Sequence, residues 1–332
     1  MKRPRPPLFL DSFAKINLYL QVLNKRGDNF HNLNTLFCRI DLKDTIVLRE
    51  RKDSLIKIKC NSRQVPKGKS NLCYAAAELL KQAFKLSFGL EIEIKKRIPV
   101  GAGLGGGSSN AASVLLGLNK FWDLNLPETK LVKLAAELGS DVPFFVSGEK
   151  FALGSCRGEK IKPLVSLKKL KLWFILVYPN IKVSTPLIYS KFDKYNSLCQ
   201  AGDTEAGALP PATQVRTVGC RSGRTRLNQG EFSQLTTPLH DVKILISELS
   251  KSAFRVKPEY LFNSLEPVTI RIYSVVKQVK KALYGMGLEK VMMSGSGPAV
   301  FAICGSAKEA LDLSGILRKK HKSWQIFVNS TV

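Results

Sequence analysis

The sequence predicts an α+β protein built from two domains. Segments that alternate between apolar and polar residues, as strands do, recur along the chain among segments with apolar residues at helical spacing. The length of 332 residues suits one large domain or two of ordinary size. We expect an N-terminal domain over residues 1–165 and a C-terminal domain over residues 166–332, meeting near residues 160–190.

Three strand regions and one helix are predicted over the first hundred residues. Residues 13–23 alternate and are rich in apolar and aromatic types, and residues 45–60 resemble two strands joined by a charged turn. Residues 71–86 carry apolar side chains at helical spacing. Residues 91–100 alternate again, and Pro99 is expected to end that strand because it has no N–H to donate.

A glycine-rich stretch follows, and two helices are predicted after it. The first covers residues 109–121, and the second begins near Pro127 and stops at Gly139, residue types that suit the two ends of a helix. Residues 171–179 are apolar enough for a buried strand. The C-terminal third is predicted to contain a helix (269–284), a glycine-rich turn (294–297), a strand (299–304), a helix (307–320) and a strand (324–329).

Residues 195–242 differ in composition from the rest of the chain. The stretch from Tyr195 to Val242 has no lysine and almost no apolar periodicity, and it contains Pro210-Pro211. This composition is typical of an inserted surface loop or a disordered segment. Two interpretations stay open for it: a tolerated insertion, or a lid over a nearby pocket.

Composition excludes several classes of protein. Hydrophobic residues make up 44% and charged residues 23%, which is typical of a folded globular chain. The longest apolar run, residues 172–177, is far shorter than the roughly 20 residues of a membrane span, and the N-terminus lacks the apolar stretch of a signal peptide. Seven scattered cysteines without a CxxC pair argue against a disulfide framework or a zinc site, and we expect a reducing cytoplasm.

The net charge of +26 attracts polyanions. The basic residues are spread out, however, and no RNA-binding aromatic signature or zinc-finger spacing accompanies them. The charge therefore fits a solvated basic surface or a phosphate-rich small substrate better than a nucleic acid partner.

The strongest functional signal is the glycine-rich loop over residues 99–109. Residues 101–107 include five glycines, placed after a predicted strand and before a predicted helix. Glycine lets a ligand approach the backbone closely, and free N–H groups at a helix N-terminus attract phosphate oxygens. Ser108 and Ser109 could cap the helix or offer hydroxyls to a phosphate or a metal. A plain turn needs only one glycine, so a phosphate-binding loop is predicted.

Three other glycine motifs are considered and rejected. The spacing of Gly101, Gly103 and Gly106 matches a dinucleotide fingerprint, but Asp123 follows a helix rather than the next strand. A Walker A loop would end in Gly-Lys, and here Gly107 precedes a serine. The HRD and DFG motifs of protein kinases are missing from the sequence.

A phosphate loop without its own lysine needs charge from elsewhere. Lys96 just upstream and Lys15 on the first strand are candidates. Asp141 lies in a short loop after the second helix, where a carboxylate could accept the proton of a substrate hydroxyl. Taken singly, Asp141 could be a turn residue and Lys15 an edge charge.

Taken together, these segments resemble the GHMP family of small-molecule kinases. The resemblance is carried by residues 13–20, Phe30-His31, the loop over 99–109 with residues 110–112, residues 139–144, residues 184–186, residues 263–267 and residues 294–298. Order and spacing fit over residues 10–190 and 255–305 and fail in the segment 195–242. Two departures are Phe30, where the family often has tyrosine, and Ser264, which replaces an aspartate and should leave the helix start at 264–268 less well capped.

This resemblance implies an N-terminal ATP-binding domain and a C-terminal ferredoxin-like α/β sandwich. It implies phosphoryl transfer from ATP, with Mg²⁺, to the 2-hydroxyl of a cytidine-diphosphate-linked methylerythritol, on the non-mevalonate route to isoprenoid precursors. Asp141 would orient or deprotonate the hydroxyl, and Lys15 would stabilise Asp141 and the transferring phosphoryl group.

The resemblance also implies two sets of binding residues. Those for ATP are Asn71, Lys96, Pro99, Val100, Gly101, Ala102, Gly103, Leu104, Gly105, Gly106, Gly107, Ser108 and Ser109, and those for the substrate are Asn17, Phe30, His31, Thr185 and Tyr189. A histidine has a donor and an acceptor nitrogen, which suits the edge of cytosine, although a lone histidine is more often structural. No set of metal-ligating residues is predicted.

Two alternative functions remain. The chain could be another GHMP kinase, acting on mevalonate or homoserine, although Phe30-His31 and the three consecutive glycines argue against it. It could also be an inactive basic relative that binds nucleic acid, but the intact Lys15, Asp141 and glycine loop favour the enzyme. The expected partners are thus ATP and a small molecule, with neither nucleic acid nor membrane.

Overall fold

The computed structural model describes residues 5–87, 89–200, 238–252 and 256–332. The described strands are β1 (Leu8–Lys25), β2 (His31–Arg51), β3 (Ile56–Cys60), β4 (Gly89–Lys95), β5 (Phe151–Cys156), β6 (Lys160–Pro163), β7 (Trp173–Tyr178), β8 (Phe262–Asn263), β9 (Val291–Met293), β10 (Val300–Cys304) and β11 (Gln325–Ser330). The described helices are α1 (Leu72–Ala83), α2 (Gly106–Phe121), α3 (Glu128–Leu138), α4 (Val142–Val146), α5 (Thr185–Gln200), α6 (Val242–Lys251), α7 (Glu266–Ile272), α8 (Ser274–Tyr284) and α9 (Ala307–Lys320). Within these ranges each helix is too short or too polar to traverse a bilayer.

A long hairpin of β1 and β2 forms the centre of a seven-stranded sheet. The two strands pair antiparallel from Leu8 opposite Leu48 to Lys25 opposite His31. β4 and then β3 extend the sheet from one half of β2, while β5 and β6 extend it from the other half. β8, from the later part of the chain, pairs with β1 in parallel. Since both parts of the chain build this sheet, the predicted boundary between residues 165 and 166 stays a prediction.

A second sheet of four strands, in the order β11-β7-β10-β9, is antiparallel throughout. The described part of the connection from β7 to β9 contains helices α5 to α8 and the short strand β8. A tight turn joins β9 to β10, and α9 leads from β10 to β11. This βαββαβ arrangement is that of ferredoxin-like folds. The predicted α+β class with a C-terminal ferredoxin-like sandwich is therefore confirmed.

Apolar side chains cover both faces of the first sheet. On one face α1 to α4 pack on β2 and β4 around fully buried residues such as Leu48 and Ile92. On the other face Ile16 shares a core with Phe174 and Phe301 of the second sheet, whose rings meet edge to face at 5.9 Å. Each such buried side chain contributes roughly 1.5–3 kcal/mol, so this shared core fixes the two sheets against each other.

Most predicted elements are confirmed, and several boundaries are wrong. The strand predicted over 91–100 ends at Lys95, because the N–H groups of Arg97 and Ile98 donate to the Asp44 carboxylate instead of continuing a ladder. The helix predicted over 269–284 is two helices, since Tyr273 between them has φ −122° and ψ 86°, outside the helical region.

The predicted insertion over 195–242 begins too early. Residues 195–200 belong to α5, and Val242 is the first residue of α6. Two signals for α5 were in the sequence. Pro186 lies in the first turn, and the apolar residues Ile188 and Phe192, which are both buried, are four positions apart. Residues 201–237 lie outside the described residues.

Asp44, on β2, has a carboxylate with no exposed surface and four hydrogen-bond donors around it. One oxygen accepts the N–H groups of Arg97 (2.7 Å) and Ile98 (2.8 Å). The other accepts from Lys96 Nζ (2.5 Å) and Asn110 Nδ2 (2.9 Å). A buried charge is tolerated only when it is paired and hydrogen-bonded in this way.

The hydrogen bonds continue from Asp44 into the neighbouring elements. Asn110 Nδ2 also donates to Ser12 Oγ at 2.8 Å, and Ser12 Oγ lies 2.8 Å from Ser109 Oγ. We call Ser12, Asp44, Lys96, Ser109 and Asn110 the buried polar cluster. It joins β1, β2, the exit from β4 and the first turn of α2, and so positions both ends of the glycine-rich loop.

We predict that Asp44→Ala lowers the free energy of unfolding by about 3–5 kcal/mol, because it leaves the Lys96 charge buried without its partner. Asp11→Ala is the matched control: Asp11 pairs with Lys43 at 2.6 Å on the surface, and exposed pairs contribute about 1 kcal/mol or less. Urea unfolding followed by circular dichroism measures both. Equal losses for the two variants would contradict the role given to Asp44.

Candidate active site

A cavity of about 860 Å³ lies between the glycine-rich loop, the β1–β2 hairpin and the start of α5. Its lining includes Lys15, Asn17, Lys25, Phe30, His31, Asn71, Lys96, residues 99–108, Asn110, Asp141, Arg157, Thr185, Tyr189, Asp193, Gly295 and Ser296. Every residue predicted for the site except Ser109 is in this lining. The assignment of each to ATP or to the substrate stays a prediction.

The glycine-rich loop exposes the amide end of α2. Gly101, Gly103 and Gly105 have φ values of 69°, 77° and 67°, which residues with a side chain rarely adopt. Gly105 precedes the first turn and supplies no side-chain cap, and the first intrahelical bond runs from Ser109 N to Gly105 O at 2.8 Å. The N–H groups of residues 106–108 are thus available to an anion, as at other helix N-termini.

The serines of the loop differ from the prediction. The helix begins at Gly106, so neither Ser108 nor Ser109 caps it. The Ser109 side chain is buried in the polar cluster, whereas Ser108 lines the cavity. A capping role for both serines is therefore wrong, and only Ser108 offers its hydroxyl to the cavity.

A second glycine loop, residues 294–297, supports the first. Ser294 Oγ donates to the Gly103 carbonyl oxygen at 3.0 Å, and Ala299 N donates to the Ala102 carbonyl oxygen at 3.2 Å. A Cβ on Gly103 would lie only 2.2 Å from the Ser294 carbonyl oxygen. The two loops fit against each other because glycine stands at their contact. Gly107 is different, since a Cβ there would meet only Leu72 Cδ1, at an ordinary 3.8 Å.

Lys15 and Asp141 form an ion pair inside the cavity. Lys15 Nζ lies 3.4 Å from Asp141 Oδ2 and donates to Asn17 Oδ1 at 2.7 Å. Asn17 in turn donates to Thr35 Oγ1 at 2.8 Å, so the ammonium group has a fixed position on β1. The Asp141 side chain makes no capping bond to α4 and is 31% exposed, which leaves one face of the carboxylate open to the cavity.

Two predicted ATP residues already have partners within the protein. The charge of Lys96 is balanced by Asp44, so it is not the free cation expected from the sequence. Asn71 caps α1 by accepting from Cys73 N at 2.8 Å and donates to the Pro66 carbonyl oxygen at 2.6 Å. Asn71 therefore shapes the cavity wall mainly through the position of α1.

Another part of the lining is aromatic. The His31 ring stacks on Tyr189 with centroids 5.1 Å apart, and its Nε2 lies 2.5 Å from Asp193 Oδ1. Phe30 is 49% exposed, and the Arg157 guanidinium lies 5.0 Å from its ring centre. An exposed aromatic ring beside a histidine is a surface on which a planar base could stack.

Two pKa shifts describe the electrostatics of this region. Burial acts to raise the pKa of Asp193, but hydrogen bonds from Lys25 and His31 outweigh it and lower that pKa below its usual value. Burial raises the pKa of Tyr189, and the negative charge of Asp141 adds to the effect. Asp193 is therefore ionised and Tyr189 neutral at pH 7.

Sequence reasoning missed Asp44, Asp193 and Ser296. Ser296 Oγ lies 2.7 Å from Thr185 Oγ1, which connects the second glycine loop to the first residue of α5. The expectation that Ser264 caps the following helix poorly is confirmed. Its hydroxyl accepts a hydrogen bond from Val22 N at 3.0 Å, and α7 starts without a side-chain cap. Only Ser296 had a local signal, the Ser-Gly-Ser-Gly motif.

Comparison with known proteins finds family models and full-length relatives of one kind. The models of the GHMP kinases N-terminal domain and the GHMP kinases C-terminal domain match residues 71–149 and 240–322. A 4-diphosphocytidyl-2-C-methyl-D-erythritol kinase of Acetivibrio thermocellus is 34% identical over 97% of this chain and 98% of its own length. One from Gloeothece citriformis is 37% identical over 92% of this chain and 89% of its own length.

Solved structures give the same result. A crystal structure of 4-(cytidine 5'-diphospho)-2C-methyl-D-erythritol kinase is 28% identical, with a TM-score of 0.68 over 97% of this chain and 98% of that one. The mevalonate kinase of L. major also reaches a TM-score of 0.68, over 100% of this chain and 98% of that one, but at 14% identity it shows the shared fold alone. From these matches, the chain belongs to the 4-diphosphocytidyl-2-C-methyl-D-erythritol kinase family of GHMP kinases.

Proposed function

We propose that this chain phosphorylates the 2-hydroxyl of 4-diphosphocytidyl-2-C-methyl-D-erythritol with ATP, a step in the non-mevalonate route to isoprenoid precursors. The observation that carries the proposal is the Lys15–Asp141 pair, 3.4 Å apart, in the same cavity as the glycine-rich loop. The names of the relatives support the substrate. The five described free cysteines support a reducing cytoplasm as the place of the reaction.

Asp141 takes the proton of the substrate hydroxyl in the proposed reaction. The hydroxyl oxygen then forms a bond to the γ-phosphorus of ATP, the bond from that phosphorus to the β,γ-bridging oxygen breaks, and ADP leaves. Lys15 holds Asp141 in place and stabilises the charge that develops on the transferring group. The N–H groups of residues 106–108 bind phosphate oxygens at the end of α2.

Hard oxygen ligands in the cavity fit a magnesium ion that accompanies ATP. Mg²⁺ is usually held by one or two carboxylates together with substrate phosphates, not by a cage made of protein alone. Asp141 and the Ser108 hydroxyl line the cavity, while the described residues contain no cluster of three or more metal-binding side chains. The Ser108 hydroxyl would hold the ion together with the phosphates of ATP, and the ion would neutralise phosphate charge when bound.

The substrate's cytidine is assigned to the aromatic part of the lining. Phe30 supplies an exposed ring for stacking, and His31 reads the edge of the base. Thr185 and Tyr189 form the neighbouring wall on α5. Asn17 acts mainly by fixing Lys15, because its side chain is already bonded to Lys15 and Thr35.

A kinase assay with three acceptors tests the function directly. The purified chain is incubated with ATP and either the cytidine-linked methylerythritol, mevalonate or homoserine, and ADP formation is followed. We expect turnover with the cytidine-linked alcohol alone. Turnover with mevalonate or homoserine instead would contradict the proposed substrate, although the chain would still act as a GHMP kinase.

We predict that Asp141→Asn lowers kcat by at least about 10²-fold, because an amide cannot take the hydroxyl proton, while the affinity for ATP changes little. Asp123→Asn is the matched control, since Asp123 is an exposed residue paired with Arg5 outside the cavity. Steady-state kinetics on both variants gives the comparison. Near-normal turnover of Asp141→Asn removes this residue from the proton transfer.

Two glycine variants should separate ligand binding from folding. We predict that Gly107→Ala raises KM for ATP at least about tenfold, or about 1.4 kcal/mol, because the new methyl group would crowd the phosphates in the cavity. The Tm should not change, because this Cβ meets no protein atom closer than 3.8 Å. Gly103→Ala should instead destabilise the fold by at least about 1–3 kcal/mol, since its φ is 77° and its Cβ would clash with the Ser294 carbonyl oxygen. Calorimetry and ATP titration measure both effects. An unchanged KM for Gly107→Ala would show that the phosphates lie elsewhere.

We predict that Phe30→Ala raises KM for the cytidine-linked substrate by roughly 5- to 150-fold, the cost of one lost stacking contact of about 1–3 kcal/mol. KM for ATP should change less. Phe9→Ala serves as the control, because Phe9 is 62% exposed on the same strand pair and lies outside the cavity lining. If both variants keep the wild-type KM, the base is not bound at Phe30.

A further inference from the structure

The hydrogen bond between His31 and Asp193 determines which imidazole nitrogen carries a proton. His31 Nε2 lies 2.5 Å from Asp193 Oδ1. An ionised carboxylate can only accept hydrogen bonds, so Nε2 must be the donor. Lys25 Nζ lies 2.7 Å from the other oxygen, Asp193 Oδ2, and balances the carboxylate charge. With its one proton on Nε2, the neutral ring has an unprotonated Nδ1.

Packing fixes the same ring in space. Tyr189 stacks on one face at 5.1 Å with an interplanar angle of 28°, and Phe192 meets the ring edge-on at 6.4 Å. Asp193, Tyr189 and Phe192 all belong to α5, so one helix sets both the orientation and the tautomer of His31. Among the residues that the structure describes, Nδ1 has no hydrogen-bond partner, and the ring lines the cavity.

An unprotonated Nδ1 distinguishes the two common pyrimidines. Cytosine carries an amino group at position 4, which donates a hydrogen bond, whereas uracil carries a carbonyl oxygen there, which only accepts. A lone pair on Nδ1 attracts the amino group and repels the carbonyl oxygen. A site that hydrogen-bonds one group in this way rejects the analogue that lacks it much more strongly than an apolar pocket does.

We propose that Asp193, held by Lys25, is a positioning residue that keeps His31 as an acceptor toward the cavity and thereby makes the site select a cytosine over a uracil base. This inference rests on the proposed function, because it assumes that the base of a cytidine-linked substrate lies at His31. In this proposal Asp193 acts through the proton on His31 Nε2.

Kinetics with a matched pair of substrates tests the proposal. The cytidine-linked alcohol and its uridine-linked analogue are compared in the wild type, Asp193→Ala and Asp193→Glu. We expect the wild-type chain to prefer cytidine in kcat/KM by more than about 10²-fold, and Asp193→Ala to reduce that preference at least about tenfold. Asp193→Glu, which keeps a carboxylate, should restore part of the preference.

A merely structural ion pair gives a different result. If Asp193 only stabilises the packing of α5 on the hairpin, Asp193→Ala lowers kcat/KM for both substrates equally, and an unchanged preference overturns the proposal. Failure of the proposed function is distinguishable, since the wild type would then turn over neither substrate.

A spectroscopic readout needs no substrate at all. Nitrogen-15 NMR of the imidazole rings distinguishes the Nε2–H form from the Nδ1–H form, and His31→Ala identifies the signals of this histidine among the three in the chain. We expect His31 to be in the Nε2–H form in the wild type and a mixture of both forms in Asp193→Ala. Persistence of the pure Nε2–H form in Asp193→Ala overturns the proposal whatever the kinetics show.

Discussion

The rest of the site depends on one buried carboxylate. Asp44 is fully buried on β2, yet it holds the backbone after β4, the ammonium group of Lys96 and the Asn110 amide on the first turn of α2. A glycine-rich loop has little conformational preference of its own, because glycine loses more freedom on folding than any other residue. The loop keeps one shape because its two ends are bonded to the same group.

The second constraint comes from the other half of the chain. The 294–297 loop lies so close to Gly103 that a Cβ on this glycine would be 2.2 Å from the Ser294 carbonyl oxygen, and Ser296 is bonded to Thr185 at the start of α5. The pairing of β8 with β1 and the core shared by the two sheets hold these parts together. The cavity is therefore a property of the whole fold, and neither sheet could form it alone.

The sequence predicted the features that depend on residues close together in the chain and missed those that depend on distant ones. The glycine loop, the ends of α3 at Pro127 and Gly139, and the β1 strand were predictable because each depends on residues close in sequence. Asp44 acts on groups more than 50 residues away and Asp193 acts on His31 across 162 residues, so no local pattern marks them. The sequence predicted that Ser109 binds the ligand. Its side chain lies beside Ser12, a partner 97 residues away, and no local pattern shows that direction.

These long-range partners change how the positive charge of the chain is understood. The cavity is lined by Lys15, Lys25, Lys96 and Arg157, and each has an acidic partner at 4 Å or less: Asp141, Asp193, Asp44 and Glu159. Pairing removes most of the net charge of each group but fixes the direction of its N–H bonds, so these cations act as oriented donors. The excess of +26 lies on the rest of the molecule, where charge increases the rate at which a polyphosphate arrives without deciding how it is held. The N–H groups of residues 106–108 then bind the polyphosphate, and the hydrogen bond from Asn110 to Asp44 holds this turn of α2 in position.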